Sequence, residues 1–451
     1  MSKHWHKVAS SIPQLWSTIE IIIDDQKETS HSQLLTTTTT FLKRSGNLPL
    51  SVMLSFEPPR CHCVSRHTTR FIMTTLRLLL ENFQRWRSVS FNFGNITFEL
   101  PPLPQQVVAP FLEHIDIKFH SPSIPNPSYY AALVAAAPGL RSYVAHASNC
   151  NVPPNLPWGQ LHKFHPTCPI RQPDAYTILS RAKSLQEFHF VIHRDPRGVI
   201  APPPVRITSS IRSMSVIGHG TCPLDFLLLS RLDTPHLKAL HIIFLMPVVP
   251  RDIGLAQQHV ILFSFLSSGS FRLSSLTIGN LLMTESQLMD CLRLLSPSLT
   301  TLKILTNTES LNASDIHIFE VFTNTVLKSL TFFHDISTGS GLLCPALESL
   351  TLCRCVGADD GVLSDMIQSR QGWSPTAVDR LSIANIAILR CLEVVFDANT
   401  HPTDLTRLSK LYREGLRGGI WLRPHLDQGE VSQVETALQS ASLTASTTSW
   451  M

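Results

Sequence analysis

Along most of this chain one spacing of apolar residues recurs: an apolar residue, two positions, a second, one position, a third. It reads Leu112, Ile115, Ile117 in FLEHIDI and Leu185, Phe188, Phe190 in LQEFHF. It returns at Leu237, Leu240, Ile242, at Leu273, Leu276, Ile278, and at Leu299, Leu302, Ile304. Further copies stand at Leu327, Leu330, Phe332 and at Leu347, Leu350, Leu352, with an early one at Trp86, Val89, Phe91. Degraded copies begin at Leu140, Leu161 and Ile211. The last two positions of each copy alternate as on a half-buried strand. Starts fall mostly about 20–28 residues apart, a period of stacked structural repeats.

Between the copies lie helix-like runs: YYAALVAAAPG, DAYTILSRAKS, PLDFLLLSRL, QQHVILFSFLSSG, ESQLMDCLRLLSPS and SDIHIFEVFTNTV. Each unit therefore reads strand, loop, helix, turn. A helix returning the chain to the next strand builds a parallel sheet. Helices are wider than strands, so the sheet is expected to curve with its strands on the concave side. The predicted fold class is α/β, an irregular leucine-rich-repeat solenoid with helices on the convex side. The gap from Leu237 to Leu273 leaves room for a loop around PVVPRDIG. APPPV, residues 201–205, reads as a loop between repeats. After Cys355 the pattern fades into a helix in GVLSDMIQSRQG and one last strand in VDRLSIANI. LTRLSKLYREGLRGGIWLRP then reads as a capping helix, turn and strand.

The first hundred residues are less regular. Trp5 and Val8 share a helical face, Pro13 ends that helix, and IEIII reads as a short strand. Residues 32–46 suggest a helix despite five threonines, Thr36 to Thr40, with Gly46 as its C-terminal cap. LPLSVMLSF alternates like a strand, EPPRCHCVSRHTTR reads as a loop, and FIMTTLRLLLENFQ as a helix. The expected divisions are 1–25, a short helical unit; 26–110, linking helices and a first irregular repeat; 111–423, the solenoid with its cap; and 424–451, a Ser/Thr-rich tail that frays.

Composition narrows the function classes. A formal charge of +4 over 451 residues, with no long basic run, does not point to nucleic acid. MSKHWHKVASSIPQLW has no apolar core of a secretory signal, and no apolar stretch nears the roughly 18–20 residues that span a bilayer. The ten cysteines have no regular spacing. The expectation is a cytoplasmic or nuclear protein with free thiols and no membrane contact.

Candidate chemistry is sparse. There is no phosphate-binding Gly-rich loop with a Lys-Ser/Thr and no HExxH. Cys222 and His219 lack any local signature of a nucleophile pair. Cys61-His62-Cys63 with His67, and Cys353 with Cys355, offer soft ligands but not the spaced pairs of structural zinc. No metal, cofactor or catalytic residue is expected, and the chain is read as a non-enzyme. Function falls instead to residues between the apolar positions of each strand. The candidate partner contacts are Glu113, Asp116, Glu187, His189, Lys238, His241, Lys303, Lys328 and Glu348.

A family resemblance sharpens this. Ser2-Lys3-His4-Trp5-His6-Lys7-Val8-Ala9, then Ser11-Ile12-Pro13-Gln14-Leu15-Trp16-Ser17-Thr18-Ile19, resembles the end of an F-box motif. Phe41 to Ser51 and Arg85-Trp86-Arg87-Ser88-Val89 are similar to the same family, the F-box and leucine-rich-repeat proteins of mushroom-forming fungi. The resemblance rests on Trp5, Pro13, Leu15 and Trp16, and covers only the last helix and exit of the motif. Its LPxE-type opening would precede Met1. The resemblance implies a substrate-recognition subunit of a cullin-type ubiquitin ligase, holding a Skp-type linker subunit and an unknown protein substrate. The alternative is a repeat scaffold with no ubiquitin role, because the F-box is incomplete.

Overall fold

The structure is a computed structural model. It describes residues 3–24, 31–57, 65–93, 100–103, 108–118, 127–146, 152–153, 155–166, 169–193, 206–218, 227–244, 255–269, 271–281, 283–306, 320–332, 342–371, 386–397 and 400–423. The Cys61–Cys63 cluster, His219 with Cys222, and the loops around residues 201–205 and 247–254 lie outside these. So do most of VDRLSIANI and the tail.

The chain divides into two compact units, Met1–Leu245 with Val249–Leu273, and Met246–Val248 with Ser274–Met451. The first contains β1 (Thr18–Asp24), β2 (Leu50–Glu57), β3 (Trp86–Asn92), β4 (His114–Lys118), β5 (Ser142–His146), β6 (Lys163–Pro166), β7 (Pro169–Arg171), β8 (Glu187–His193), β9 (Ile207–Thr208), β10 (Ser213–Gly218), β11 (Leu232–Asp233) and β12 (Ala239–Phe244). The main sheet runs β1-β2-β3-β4-β5-β6-β8-β10-β12, and the pairings within it are parallel. β7 adds to β8, and β9 pairs with β11. The second unit contains β13 (Ser275–Gly279), β14 (Thr301–Leu305), β15 (Ser349–Cys353), β16 (Cys391–Asp397) and β17 (Arg417–Arg423), parallel and in chain order. Within each unit the main sheet therefore grows in chain order, with β7, β9 and β11 of the first unit standing off its path, as an irregular repeat array does.

The apolar spacing works as expected on β3, β4, β8, β12, β13, β14 and β15. On β4, Leu112, Ile115 and Ile117 are buried; on β14 so are Leu299, Leu302 and Ile304. Each such side chain is worth roughly 1.5–3 kcal/mol when withdrawn from water. Register is firm because a slip of one residue would turn this row out to solvent.

Four local expectations need correction. Leu327 to Phe332 is not a strand: Asn324–Leu330 is a helix. Leu-x-x-Leu suits a helix as well as the first turn into a strand, and Val326, Leu327 and Leu330 together make a buried helical face. β14 consequently pairs directly with β15. The expected helix SDIHIFEVFTNTV is not helical through its described part before Asn324, where Phe322 makes a parallel bridge with Val356. Residues 66–70 are not loop but the first turn of the helix Arg66–Leu80, because the Ser65 hydroxyl caps it by accepting from the Thr68 N–H at 3.0 Å. Finally, β1 and β2 belong to the main sheet, which thus begins well before Trp86.

The threonine run is helical within His31–Arg44. Thr36, Thr38, Thr39 and Thr40 each donate a hydroxyl to the carbonyl four residues back at 2.8–2.9 Å, which satisfies the hydroxyls within the helix without lifting threonine's helix penalty. Gly46 follows in the left-handed region, φ 57°. Arg85 closes this end, donating to the Leu48 carbonyl at 3.1 Å and the Ser45 hydroxyl at 2.6 Å.

Candidate functional site

Parallel pairing turns the alternation of each strand into rows across the sheet. In the first unit, Ser88, His114, Ser142, Lys163, Glu187 and Ser213 stand in one register from β3 to β10. Two residues further on come Ser90, Asp116, Val144 and His165, and then His189, Ser215 and His241. His165 and His189 stack, with ring centroids 4.4 Å apart. These residues occupy the face opposite the buried Leu, Ile and Phe rows.

The charges on this face are partly matched. Arg87 Nε lies 3.1 Å from Glu113 Oε2, and Lys163 Nζ lies 3.0 Å from Glu187 Oε2. Lys118 Nζ stands 3.7 Å from Asp116 Oδ2. Burial raises the Asp116 carboxyl, and the nearby Lys118 and Lys163 pull it back only in part. Burial likewise lowers the His114 imidazole, opposed by the neighbouring Glu113 carboxylate.

Six of the proposed contact residues, Glu113, Asp116, Glu187, His189, Lys238 and His241, thus fall in or beside these strands of one unit. Lys303 lies on β14 of the other unit, and Glu348 immediately precedes β15 there. Lys328 does not join a sheet row: it is exposed on the helix Asn324–Leu330, which replaces the expected strand.

At the N-terminus, Trp5 falls within the helix Lys3–Ser10, and Pro13, Leu15 and Trp16 form a 3-10 turn after it. Trp16 donates from Nε1 to the Ala9 carbonyl at 2.8 Å, meets Phe41 edge-on at 4.9 Å, and lies under the Arg44 guanidinium. It ties the opening helix to His31–Arg44. Leu15 is exposed.

The cysteine pair is internal. Cys353 and Cys355 are buried, with thiols directed at the carbonyls of Thr306 and Ile304. Burial pushes the Cys355 thiol well above its ordinary value, which favours the neutral thiol.

A second polar site had no counterpart in the sequence reading. In the second unit a cleft of about 350 Å³ is lined by Glu320, Arg354, Asp359, Asp360, Thr400 and His401, among others. Behind it, two helices exchange caps. Asp360 accepts the N–H groups of Thr403 and Asp404, both at 2.9 Å, at the start of Pro402–Arg413. Asp404 accepts the Ser364 N–H at 2.7 Å at the start of Val362–Ser369. The other oxygen of Asp404 pairs with His401 Nδ1 at 3.3 Å, and neither of these two atoms has a further partner. Burial alone would raise Asp404, yet the His401 contact and the Ser364 N–H hold it below the usual carboxylate range. The sequence signal was His-x-x-Asp at the mouth of a helix, completed by Asp360 from a separate turn.

A comparison with protein-family models finds none that matches the chain, and a comparison with curated proteins likewise finds no match. None of the described helices is long and apolar enough to cross a membrane.

Proposed function

We propose that the chain is a non-catalytic protein-binding adaptor, cytoplasmic or nuclear, whose polar sheet face holds a protein partner. The observation that carries this is the register of the first unit. Its parallel strands bring Asp116, Glu187, His189 and their neighbours from separate repeats into continuous rows. Such rows offer many separated polar contacts over a long surface, which suits an extended protein partner. The curvature expected from the repeat period would set these rows on a concave side. Partial charge pairing on this face leaves it amphoteric, which favours protein over nucleic acid.

The specific form is a substrate-recognition subunit of a cullin-type ubiquitin ligase. It is supported by the resemblance at Trp5, Pro13, Leu15 and Trp16, the last of which anchors the opening helix. The mechanism would be proximity, raising the local concentration of a bound target near the ligase. The alternative, a repeat scaffold with no ubiquitin role, is favoured by the packing of Trp16 against Phe41, which gives that residue an internal purpose without a linker subunit.

The test combines capture by a purified Skp-type linker subunit with a photo-crosslinking residue at His189 or, as a control, at exposed Thr177 on the helix Gln172–Arg181. Linker capture together with crosslinks from His189 but not Thr177 is the expected result. Crosslinks without linker capture favour the scaffold. Equal crosslinking from both positions, with no linker capture, overturns the binding-face proposal.

A further inference from the structure

Asp360, His401 and Asp404 each present one donor atom, and these atoms lie within 4.8 Å of one another. Asp404 is 0% exposed and His401 5%. Asp404 Oδ2 and His401 Nδ1 are buried and face each other at 3.3 Å as an ion pair with no other partner, outside ordinary hydrogen-bond geometry, so a third group between them would complete both. The remaining bonds fix the donors in place. Ser364 holds the other oxygen of Asp404, Thr403 and Asp404 hold both oxygens of Asp360, and the His401 ring rests on Phe396 with centroids 4.8 Å apart. A carboxylate oxygen that accepts one N–H keeps a lone pair for a second partner. Groups held in this way orient metal ligands.

We propose that Asp360, His401 and Asp404 bind a divalent transition cation, Zn²⁺ or Mn²⁺. The ion would clamp the first turn of Pro402–Arg413 to that of Val362–Ser369. One imidazole nitrogen and two carboxylate oxygens form a borderline donor set, which suits these ions better than Ca²⁺, which takes six to eight oxygens. Two ligands on one such ion stand at most about 4.2 Å apart, so small side-chain rotations close the site. The adjoining cleft reaches Asp360 and His401 and gives room for water to complete the coordination. The competing account is that the carboxylates only cap the two helices, whose positive ends would themselves oppose a cation.

The full chain, freed of metal with a chelator, is titrated with Mn²⁺, Zn²⁺ and Ca²⁺ by calorimetry. The expected result is one saturable Mn²⁺ or Zn²⁺ site per chain, with Ca²⁺ at least tenfold weaker. His401→Gln and Asp404→Asn should each weaken that site tenfold or more, while His114→Gln leaves it unchanged. Binding that survives both substitutions, or no saturable site at all, means capping only and overturns the proposal. If either variant misfolds by circular dichroism, ferrous ion and ascorbate on the wild-type chain decide the matter. Oxidation centred on His401 supports the site, and oxidation elsewhere or nowhere refutes it.

Discussion

Asp116 shows what a strand face does to a single charge. It sits mid-row on β4, with Oδ1 buried and without a hydrogen bond. Burial raises its carboxyl, and the lysines only partly offset this. The folded protein therefore binds the proton more tightly than the unfolded chain. Stability is fully present below the ordinary carboxylate pKa and falls as pH rises from there through the raised folded value, then levels off. Asp116→Asn removes that loss. We expect the variant to gain on the wild type from acid toward neutral pH, by less than about 1 kcal/mol because the group is partly exposed. Urea midpoints across that range check it, and a gap that shrinks with rising pH would contradict the stated sign.

At the scale of elements, β17 depends on one glycine. Gly418 has φ 108°, and a Cβ there would run into the Leu392 carbonyl of β16. Both the backbone conformation and the close approach exclude a side chain. Gly418→Ala should cost about 1–3 kcal/mol, whereas Gly159→Ala, with open space around it and no positive φ, should stay within about 0.5 kcal/mol. Chemical denaturation of the two variants separates these outcomes; equal effects would show that β17 contributes little. The same sheet shows what the sequence pattern made legible. At Leu112 and Leu299 leucine opens the spacing and the strand follows. β16 carries the same spacing at Leu389, Leu392 and Val394, beyond Cys355, where the copies no longer follow one another at the repeat period. β1 and β2 were read as separate strands because Trp16 and Pro49 stand where the leading leucine would be. Asn324–Leu330 was misread because Leu-x-x-Leu satisfies both periods. The Asp360–His401–Asp404 group was not legible, since it requires the separate starts of two helices to meet. The outward rows were legible in composition, and only the parallel register showed which of their residues share a row.

At the scale of the molecule, each unit is held by contacts between successive repeats, so damage should stay local. Arg370 provides the sharpest probe. It is wholly buried in the second unit and donates to the carbonyls of Leu330 at 2.7 Å, Cys344 at 2.9 Å and Leu343 at 2.8 Å. Burial lowers its guanidinium to about 10, so it stays charged at neutral pH. It joins the C-terminal end of Val362–Ser369 to the carbonyl end of Asn324–Leu330 and to the turn before β15. Arg370→Met strips the donor from the Leu330 and Leu343 carbonyls and one of two from Cys344, which keeps the Leu347 N–H, a loss of about 3 kcal/mol. Lysine should not rescue it, because a single ammonium cannot reproduce the planar fork that reaches all three. Hydrogen exchange read by mass spectrometry should then quicken across β15, β16 and the helix Val362–Ser369. Exchange in β2, β3 and β4 should match the wild type. Equal acceleration in both units would mean that the chain unfolds as one cooperative body, and the nearest-neighbour account of its stability would fail.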